Sequence, residues 1–583
     1  MKRRNFLLAG AGGIAAIEAG CTLFDAPEPY PSFRASEPVI PVGALRRLLV
    51  ERIDPLSGQC HYRALVSTAP ATERADARSE PGGFRLNMLG GLREVVNPVL
   101  IGRAGEHLDF VIENRLPQAT TVHFHGLTLP ETQDGAGFDP IPSGASKRVS
   151  FELRNRAGLY WYHAHPHGHT AEQIQAGLVG LVIMVDEDDR RLDESLALAP
   201  GNRLALVLAD QRLRGDLRLP YAPDPRECAH GWFGNAMAVN GTLEFTTDCR
   251  AGWVRLQLLN ACNARGLLVG IRHGQDLLPF FLLGTDGGLL PEAVPVDQVF
   301  LYPAERIDIA IDLPLLVSDP ASGAGATGHI VSAISLPFAP RHQVSRTPSA
   351  PRTHLHDAEP PLSATALCTG ADSTQGASPS PTSPFAPVPV ASAAATASVQ
   401  DGAPLALFHI RVRSQAPSSG PAPGRLPARL SALPPAPRAD PAFVRQIRLD
   451  FDEAAGYVID GTTYSSDEPG ITIARGGAEI WEIRNSPLSM PHPMHLHGFS
   501  FRVLRRRGTF GPARALTTHG NGRLATDLGL KDTVVVWPNE TVWIEIDFSL
   551  PLSASFDGRQ RYLFHCHNLA HGDAMMMRKL VIT

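Results

Sequence analysis

The chain has 583 residues, of which 43% are hydrophobic and 19% are charged. This composition is typical of globular proteins, and the length predicts about three or four domains because single cores rarely grow beyond ~300 residues. The net charge of −5 excludes the basic excess that nucleic acids or anionic membrane surfaces attract, so neither is expected as a partner.

Residues 1–21, MKRRNFLLAGAGGIAAIEAGC, have the pattern of a targeting segment. A basic start is followed by an apolar stretch, Phe6 to Ile17, that is too short to span a bilayer. The two consecutive arginines resemble a twin-arginine export signal, which predicts a protein exported to the periplasm or cell envelope. Cys21 raises a lipid anchor as an alternative, although Glu18 stands where lipoprotein signals prefer an aliphatic residue.

Short segments rich in β-branched residues and separated by Gly, Pro and Asn recur along the chain, which is typical of β-strands. The predicted strands are residues 107–116, 120–127, 147–155, 177–186, 203–210, 252–260, 305–313, 478–485, 532–538 and 540–548. Many such strands with few helical patterns predict an all-β fold of sandwich domains. We predict three units, at residues 45–190, 195–340 and 440–583.

Residues 341–439 have a different texture, rich in Pro, Ala and Ser, as in SPSPTSPFAPVPVASAAATAS. Such sequence cannot bury enough apolar surface to order itself alone. We therefore predict a long, partly disordered connector before the third unit, interrupted by a strand-like segment at residues 403–412.

The chain has seven cysteines, and some of them are expected to pair in an oxidising compartment. Cys228 and Cys249 are one candidate pair because the loop between them is short, but the sequence leaves the connectivity open. Cys262 lies in the apolar run LQLLNACNAR and is interpreted as a small buried thiol.

The 22 histidines are clustered. Four motifs, two in the first unit and two in the third, contain His123 and His125; His163 and His165; His492, His495 and His497; and His565, Cys566 and His567 with His571 following. On a strand, side chains at positions i and i+2 point to one face, so each His-x-His pair can converge on one metal or on two adjacent metals. A single such pair is often structural, but four together are not expected by coincidence.

Cys566 stands between two histidines, so its thiolate would point away from the site that those histidines serve. One cysteine, two histidines and a weak methionine ligand are the composition of a blue-copper electron-transfer site. The motif therefore predicts two metal sites that are joined covalently through Cys566.

In this order and spacing, the four motifs resemble the multicopper oxidases, the family of laccases, ferroxidases and bacterial copper-efflux oxidases. WYHAHPHGHTAEQIQAGLVGLVIM is similar to bacterial laccase-like members, and GLKDTVVVWPNETVWIEIDF is similar to their third domain. The resemblance covers nearly the whole chain outside the connector. It implies three cupredoxin-like Greek-key β-sandwich domains, of which the middle one holds no copper.

The resemblance also implies four copper ions and a role for each ligand. His492, Cys566 and His571 would bind a type 1 copper, with Met576 as the axial ligand. The type 2 copper would be bound by His123 and His495. The type 3 pair would be bound by His125, His163, His165, His497, His565 and His567. The implied reaction takes four electrons from a reducing substrate through Cys566 and reduces O₂ to two waters.

Acidic residues near these motifs are candidates for proton delivery. Asp134 follows His123 by eleven residues, where family members carry a carboxylate beside the cluster, although an Asp before Gly135 is also typical of a turn. Asp573 is a weaker candidate, and its neighbour Gly572 replaces an acidic residue of some copper-efflux members. His167 and His169 are not expected to be ligands, because the resemblance already fills all eight cluster positions.

The methionine content of the sequence bears on the identity of the reducing substrate. The chain has nine methionines and none in the connector, whereas copper-efflux members carry a methionine-rich insert. Met490 and Met494 flank His492 but are interpreted as packing residues, and His342, His354 and His356 of the connector as incidental. We therefore expect a phenol or an aromatic amine, with a cuprous or other metal ion as the alternative.

The same residues bear on three functions other than that of an oxidase. A copper-free structural or division-related relative is disfavoured because all twelve ligand positions are filled. Copper storage is a further alternative, and O₂ consumption by a visibly blue protein would exclude it. A copper nitrite reductase is disfavoured because two domains without an eight-histidine cluster are expected there.

Overall fold

The structure is a computed structural model, and it describes residues 59–67, 83–87, 94–97, 99–114, 116–214, 217–313, 329–340, 401–413, 424–487, 489–508, 511–518 and 520–583. The predicted signal segment, Cys21 and most of the predicted connector lie outside these residues. Strands predominate over short helices in the described part, so the predicted all-β fold is confirmed. No helix of the described part is long and apolar enough to cross a membrane.

The first sandwich has a five-stranded sheet in the order β3-β2-β1-β5-β7 and a four-stranded sheet in the order β4-β9-β8-β6. Its strands are β1 Gln59–Ser67, β2 Gly83–Asn87, β3 Glu94–Val96, β4 Leu100–Gly102, β5 His107–Asn114, β6 Val122–His125, β7 Ser146–Glu152, β8 Gly158–Ala164 and β9 Val179–Met184. Its helices are α1 Glu131–Asp134, α2 Thr170–Gln175 and α3 Glu187–Ser195. Val149 and Phe151 of β7 are buried while their neighbours are more exposed, which is the alternation that a half-buried strand requires.

The middle sandwich has a seven-stranded sheet, β14-β13-β10-β16-β22-β19-β20, which faces a six-stranded sheet, β15-β24-β23-β17-β18 with β21 on β17. The strands before its centre are β10 Arg203–Gln211, β11 Leu213–Arg214, β12 Leu217–Arg218, β13 Ala236–Val239, β14 Thr242–Leu243, β15 Thr246–Arg250, β16 Gly252–Asn260 and β17 Leu267–His273. Those after it are β18 Asp276–Leu278, β19 Phe280–Thr285, β20 Gly288–Val296, β21 Gln298–Leu301, β22 Arg306–Leu313, β23 Ile330–Ser335 and β24 Leu405–Arg413. Helix α4 is Pro225–His230.

The third sandwich has a six-stranded sheet, β26-β25-β28-β33-β30-β31, and a five-stranded sheet, β27-β35-β34-β29-β32. Its strands are β25 Val444–Asp452, β26 Gly456–Ile459, β27 Ile471–Ile473, β28 Ala478–Asn485, β29 His492–Leu496, β30 Phe501–Arg507, β31 Leu530–Lys531, β32 Thr533–Val536, β33 Thr541–Asp547, β34 Gln560–Cys566 and β35 Met577–Ile582. Its helices are α5 Gly511–Arg514 and α6 Leu569–Asp573, with 3₁₀ turns at Ala525–Asp527 and Ala554–Phe556.

The predicted connector at residues 341–439 needs correction at its described parts. Strand β24 pairs with β23 and β15, so it belongs to the middle sandwich and extends that unit beyond residue 340. Further on, Leu430 is buried with Leu283 of β19 and Leu289 of β20, and its N–H donates to the carbonyl of Pro291 at 2.8 Å. The leucine side chains of this Pro-rich segment become ordered because the middle sandwich supplies the apolar surface that the segment itself lacks.

Apolar clusters join the middle sandwich to both of its neighbours. Trp161 of the first sandwich packs with Leu259 of the middle one. Tyr302 of the middle sandwich packs with Trp537 of the third, and the indole N–H donates to the phenol oxygen at 3.3 Å. These contacts support the positions of the strands that carry the histidine motifs.

Candidate metal centre

Two antiparallel strand pairs present the histidine motifs. Strands β6 and β8 place His123 opposite His163 in the first sandwich, and β29 and β34 place His495 opposite His565 in the third. Directly opposed residues of an antiparallel pair project to the same face of the sheet. Each sandwich therefore presents imidazoles on one sheet face, and the two faces meet where His123 Nε2 lies 3.4 Å from His495 Nε2.

A first donor set, which we call the thiolate site, contains His492, Cys566, His571 and Met576. The Cys566 Sγ atom lies 3.4 Å from Nδ1 of His492 and 3.6 Å from Nδ1 of His571. The two Nδ1 atoms are 3.3 Å apart. Burial raises the pKa of the Cys566 thiol, so a thiolate at this position requires a nearby cation.

The outer nitrogens of the two imidazoles in the thiolate site are held by hydrogen bonds. Nε2 of His571 donates to the carbonyl of Ala229, 3.1 Å away in α4 of the middle sandwich. Nε2 of His492 lies 2.8 Å from the hydroxyl oxygen of Ser489. The backbone N–H of Asn568 donates to the Cys566 sulfur at 3.4 Å. The Nδ1 lone pairs therefore face the sulfur, which is the arrangement that a metal bound by all three would need.

Three consecutive methionines follow His571, and the structure separates them. Met576 is fully buried in the same core cluster as Cys566, and its N–H donates to the His571 carbonyl at 2.9 Å. Met577 pairs with His565 across β34 and β35, on the opposite face from Cys566. Met575 is half-buried with a positive φ of 68°. Of the three, Met576 alone shares a core cluster with Cys566, so it is the methionine that could add a thioether to the thiolate site.

The other eight predicted histidine ligands are all buried and form what we call the eight-histidine cluster: His123, His125, His163, His165, His495, His497, His565 and His567. In one part of it, Nδ1 of His125 lies 3.4 Å from Nε2 of His163. The ring centre of His567 lies 5.2 Å from that of His125 and 5.3 Å from that of His163. Neither ring nitrogen of His567 has a hydrogen-bond partner. His567 thus adds a third imidazole beside His125 and His163, and its ring nitrogens are available to bind a metal.

A second part of the cluster brings together His165, His497 and His565. Nε2 of His565 lies 3.4 Å from Nε2 of His165 and 3.0 Å from Nε2 of His497. With the pair His123 and His495, the cluster divides into one group of two and two groups of three. The structure thus brings together the two histidines predicted for the type 2 copper and the six predicted for the type 3 pair.

The cluster nitrogens that face one another bear lone pairs. In six of the eight rings, all except those of His165 and His567, the outer nitrogen donates to a protein oxygen. For example, Nδ1 of His163 donates to the Ala164 carbonyl at 2.9 Å and Nδ1 of His565 donates to the Cys566 carbonyl at 3.0 Å. Burial lowers the pKa of the His565 imidazole to about 3. It also lowers the pKa of other cluster imidazoles well below the usual range, those of His125, His163, His165, His495, His497 and His567.

Neutral nitrogens that converge at 3.0–3.4 Å cannot all hydrogen-bond to one another when their outer N–H groups are already used. Buried polar atoms without partners are costly, and bound cations remove that cost. Imidazole is a preferred ligand of copper, zinc, iron and nickel, and the thiolate site adds the softer donors that favour copper. The residues of both sites therefore fit copper.

Asp134 at the end of α1 is fully buried and links the first sandwich to the third. Its backbone carbonyl accepts from Nδ1 of His123 at 2.7 Å, and its Oδ2 accepts from Nδ1 of His497 at 2.8 Å. Its Oδ1 has no hydrogen-bond partner. Gly135 also ends α1 in the left-handed region, with φ 77°, so Asp134 serves the turn and the cluster together.

A second carboxylate, Asp532, was missed in the sequence. Its Oδ1 accepts from Nε2 of His125 at 3.1 Å, and its backbone carbonyl accepts from Nδ1 of His495 at 2.9 Å. Burial raises the pKa of the Asp532 carboxyl, and the Arg306 guanidinium opposes that rise. The available signal was a charged residue directly before the fully buried strand TVVV.

The other candidate residues lie beside the cluster. Nε2 of His167 donates to the Ala136 carbonyl at 2.9 Å, whereas His169 is exposed beside Glu172. Asp573 accepts from the N–H groups of Thr170 and Ala171 at 2.9 and 2.8 Å. Its pKa is raised to about 6 because burial disfavours the charge. Asp573 therefore fixes the start of α2 across the interface between the first and third sandwiches.

The candidate disulfide between Cys228 and Cys249 is wrong. Cys249 is a buried free thiol in the core of the middle sandwich, whereas Cys228 is disulfide-bonded and lies in α4. Burial in that core keeps the Cys249 side chain away from α4. Cys262 is a buried free thiol, as predicted.

Comparisons with known proteins agree with this geometry. Multicopper oxidase family models match residues 82–189 and 437–583. The solved structure of McoA multicopper oxidase from the hyperthermophile Aquifex aeolicus has a TM-score of 0.67 and 25% identity, covering 90% of this chain and 96% of that one. The multicopper oxidase mco of Staphylococcus aureus is 23% identical over 91% of each chain. The chain belongs to the multicopper oxidase family.

A cell division protein, FtsP of Xenorhabdus nematophila, is 31% identical over 43% of this chain and 52% of that protein. The chain thus spans about half the length of that relative. Membership of the multicopper oxidases confirms the cupredoxin-like fold of the sandwiches and implies copper as the bound metal. The FtsP match leaves the reaction of this multicopper oxidase to be argued from its own residues.

Proposed function

We propose that this multicopper oxidase is an exported copper-dependent oxidoreductase that couples oxidation of a phenol or an aromatic amine to reduction of O₂ to two waters. Four copper ions are proposed, one at the thiolate site and three in the eight-histidine cluster. Copper supplies the one-electron redox chemistry of the reaction when it is bound. The observation that carries the proposal is that two buried donor sets, with twelve predicted ligands, are joined through Cys566.

The chain itself connects the site of substrate oxidation with the site of O₂ reduction. The Cys566 sulfur belongs to the thiolate site, while the adjacent His565 and His567 belong to the cluster. Three consecutive residues therefore reach both donor sets through covalent bonds. Nδ1 of His565 also donates to the Cys566 carbonyl at 3.0 Å, which adds a hydrogen-bonded link between them.

Proton supply to the cluster is assigned to Asp134. Its Oδ2 is used by His497, and its buried Oδ1 has no protein partner. A carboxyl oxygen in this position can hold a proton or orient a water beside the cluster. Gly572 stands where some copper-efflux oxidases have an acidic residue, so it offers no second carboxylate. The Asp573 carboxylate accepts hydrogen bonds from the start of α2.

An organic reductant is favoured over a cuprous ion by the surroundings of His492. Met490 is 5% exposed and Met494 is fully buried, and both pack in the core of the third sandwich. Among the described residues, Met575 is the most exposed methionine, and it is only half-buried. Collection of Cu(I) at a surface requires accessible soft ligands, which the described part of the chain does not offer beside His492.

A copper-free role in cell division is the second candidate, because FtsP is a relative at 31% identity. Such a role would leave eight buried histidines without a reason for their convergence. Buried polar groups that have no partner destabilise a fold by about 1–3 kcal/mol each. The filled ligand set therefore supports the oxidase.

The test is metal analysis with an absorption spectrum and O₂ uptake, on the wild type and on Cys566→Ser. We expect four coppers per chain and a strong visible thiolate-to-copper band in the wild type. Phenol-dependent O₂ uptake is also expected. Cys566→Ser should lose the band and at least about 1000-fold in turnover, the scale seen when a group essential to catalysis is removed.

Three results would contradict the proposal in different ways. One copper or none, or no visible band, excludes the oxidase and leaves the copper-free role. Four coppers without O₂ uptake indicate storage. Efficient oxidation of Cu(I), with phenols oxidised only after copper is added, replaces the organic reductant by a metal ion.

A further inference from the structure

We propose that Asp532, held by Arg306 of the middle sandwich, is a positioning residue that orients one histidine of each outer sandwich for the cluster. This inference rests on the proposed copper cluster. It assigns a function to the middle sandwich, which contributes none of the predicted ligands.

Arg306 is fully buried at the junction of the three sandwiches, and its guanidinium uses all five N–H donors. Nε donates to the carbonyl of Leu159 in the first sandwich at 3.0 Å. Nη1 and Nη2 donate to the carbonyls of Ala304 and Asp286 at 2.9 and 3.0 Å. The two remaining N–H groups donate to the two carboxylate oxygens of Asp532 at 2.7 and 2.5 Å. Every rotation of this side chain would break several of these bonds.

The fork of Arg306 fixes Asp532, and Asp532 in turn contacts the cluster twice. Its Oδ1 accepts from Nε2 of His125, so the lone pair of His125 is left on Nδ1, which faces His163. Its carbonyl accepts from Nδ1 of His495, so the lone pair there is left on Nε2, which faces His123. Asp532 thereby favours one tautomer in each of two imidazoles from different sandwiches, and the Thr533 hydroxyl lies 3.3 Å from the same two nitrogens.

The packing leaves Asp532 no room to move. Gly126, which follows His125, has φ 83°, and a Cβ atom built on it would lie 2.5 Å from Oδ2 of Asp532 and 2.9 Å from Nη2 of Arg306. The backbone directly after β6 therefore lies against the ion pair. Lys531 adds a second buried cation in this junction, 3.1 Å from carboxylate oxygens of both Asp286 and Glu305.

A carboxylate that accepts from the outer nitrogen of a metal-binding imidazole fixes the ring and raises its basicity. Loss of such a partner typically weakens metal binding by about 10–100-fold. We therefore expect Asp532→Asn to lose cluster copper at about 10–100-fold lower chelator concentration than the wild type. The thiolate site contains neither His125 nor His495, so its visible band should respond to chelator as in the wild type.

The experiment titrates a chelator against the copper-loaded full chain and follows total copper and the visible band together. Asp527→Asn is the matched control, because Asp527 is an equally buried partner of an arginine, Arg506, in the third sandwich, with Nε to Oδ2 at 2.6 Å. Arg306→Met with Asp532→Asn is the second variant. It removes the ion pair without leaving a buried guanidinium unpaired, so that folding is preserved.

Early loss of copper with an unchanged band, in both Asp532 variants and not in Asp527→Asn, supports the inference. If the Asp532 variants lose copper at the same chelator concentration as the wild type, the inference is overturned. It is also overturned if Asp527→Asn loses copper as early as they do, because that would show general destabilisation. A wild type that never holds four coppers contradicts the proposed function itself. Four coppers in the wild type and no change in the variants contradict only the role of Asp532.

Discussion

Asp134 in the first sandwich and Asp532 in the third make the same two kinds of contact with the cluster. Each carbonyl accepts from a histidine of its own sandwich, His123 at 2.7 Å and His495 at 2.9 Å. Each carboxylate accepts from a histidine of the other sandwich, His497 at 2.8 Å or His125 at 3.1 Å. The two halves of the cluster are thus held by reciprocal contacts.

The two carboxylates differ in what their other oxygen meets. The second oxygen of Asp532 is bound by Arg306, whereas that of Asp134 has no hydrogen-bond partner. The Arg306 guanidinium forks onto Asp532 and occupies both of its carboxylate oxygens. Asp532 is therefore restricted to positioning, while Asp134 keeps one oxygen for a proton or a water.

The largest effect is expected when both carboxylates are changed together. Asp134→Asn with Asp532→Asn removes the charge from both links, and each loss should weaken cluster copper by about 10–100-fold. If the two act independently, the double variant loses about 10²–10⁴-fold, with the visible band retained. Copper analysis during chelator titration measures it. If the double variant holds cluster copper no more weakly than the weaker-binding single variant, the two carboxylates do not act independently.

A smaller and more selective effect is expected of Asp134→Asn alone once copper is saturating. The amide oxygen can still accept from His497, but the side chain can no longer hold a transferable proton. We expect kcat to fall by about 100-fold, the lower end of the usual contribution of proton transfer. Steady-state O₂ uptake measures it, with reduction of the visible band under anaerobic conditions as a control that should not change.

Asp532→Asn, loaded with saturating copper, is the matched control for that experiment. Because Asp532 is restricted to positioning, its kcat should return to within a few-fold of the wild type when the cluster is full. Equal losses of kcat in the two variants would remove the distinction between the two carboxylates.

Asp134 could be predicted from the sequence and Asp532 could not, for a physical reason. Asp134 lies eleven residues after His123, so the motif and its carboxylate are local. Asp532 depends on Arg306, which is 226 residues away, and an ion pair of that separation exists only after the middle and third sandwiches have packed together. The division of the last motif between two sites was predictable because strand alternation sends His565 and His567 to one face and Cys566 to the other, whereas the role of each ligand came from the family resemblance.

The boundary of the middle sandwich was misplaced for a similar reason. Strand β24 lies within Pro- and Ala-rich sequence, and its partners β23 and β15 precede it in the chain by about 70 and 160 residues. Local composition describes the surroundings of such a strand and not its pairing. Non-local pairing therefore limited the prediction of the fold at residue 340, as it limited that of the site at Asp532.

The smallest effect tests whether the thiolate site is independent of both carboxylates. Met576 packs with Cys566 in the third core, while Met577 pairs with His565 on the cluster side. A weak axial thioether tunes the potential of a blue-copper site. Met576→Leu should keep the visible band and raise the potential by on the order of 60 mV, a tenfold change in the one-electron equilibrium. Redox titration of the band measures this, and Met575→Leu and Met577→Leu should leave the potential nearly unchanged. An equal shift of the potential in Met577→Leu would mean that the axial ligand is misassigned. Altered retention of the cluster copper in Met576→Leu would mean that the two donor sets are coupled beyond Cys566.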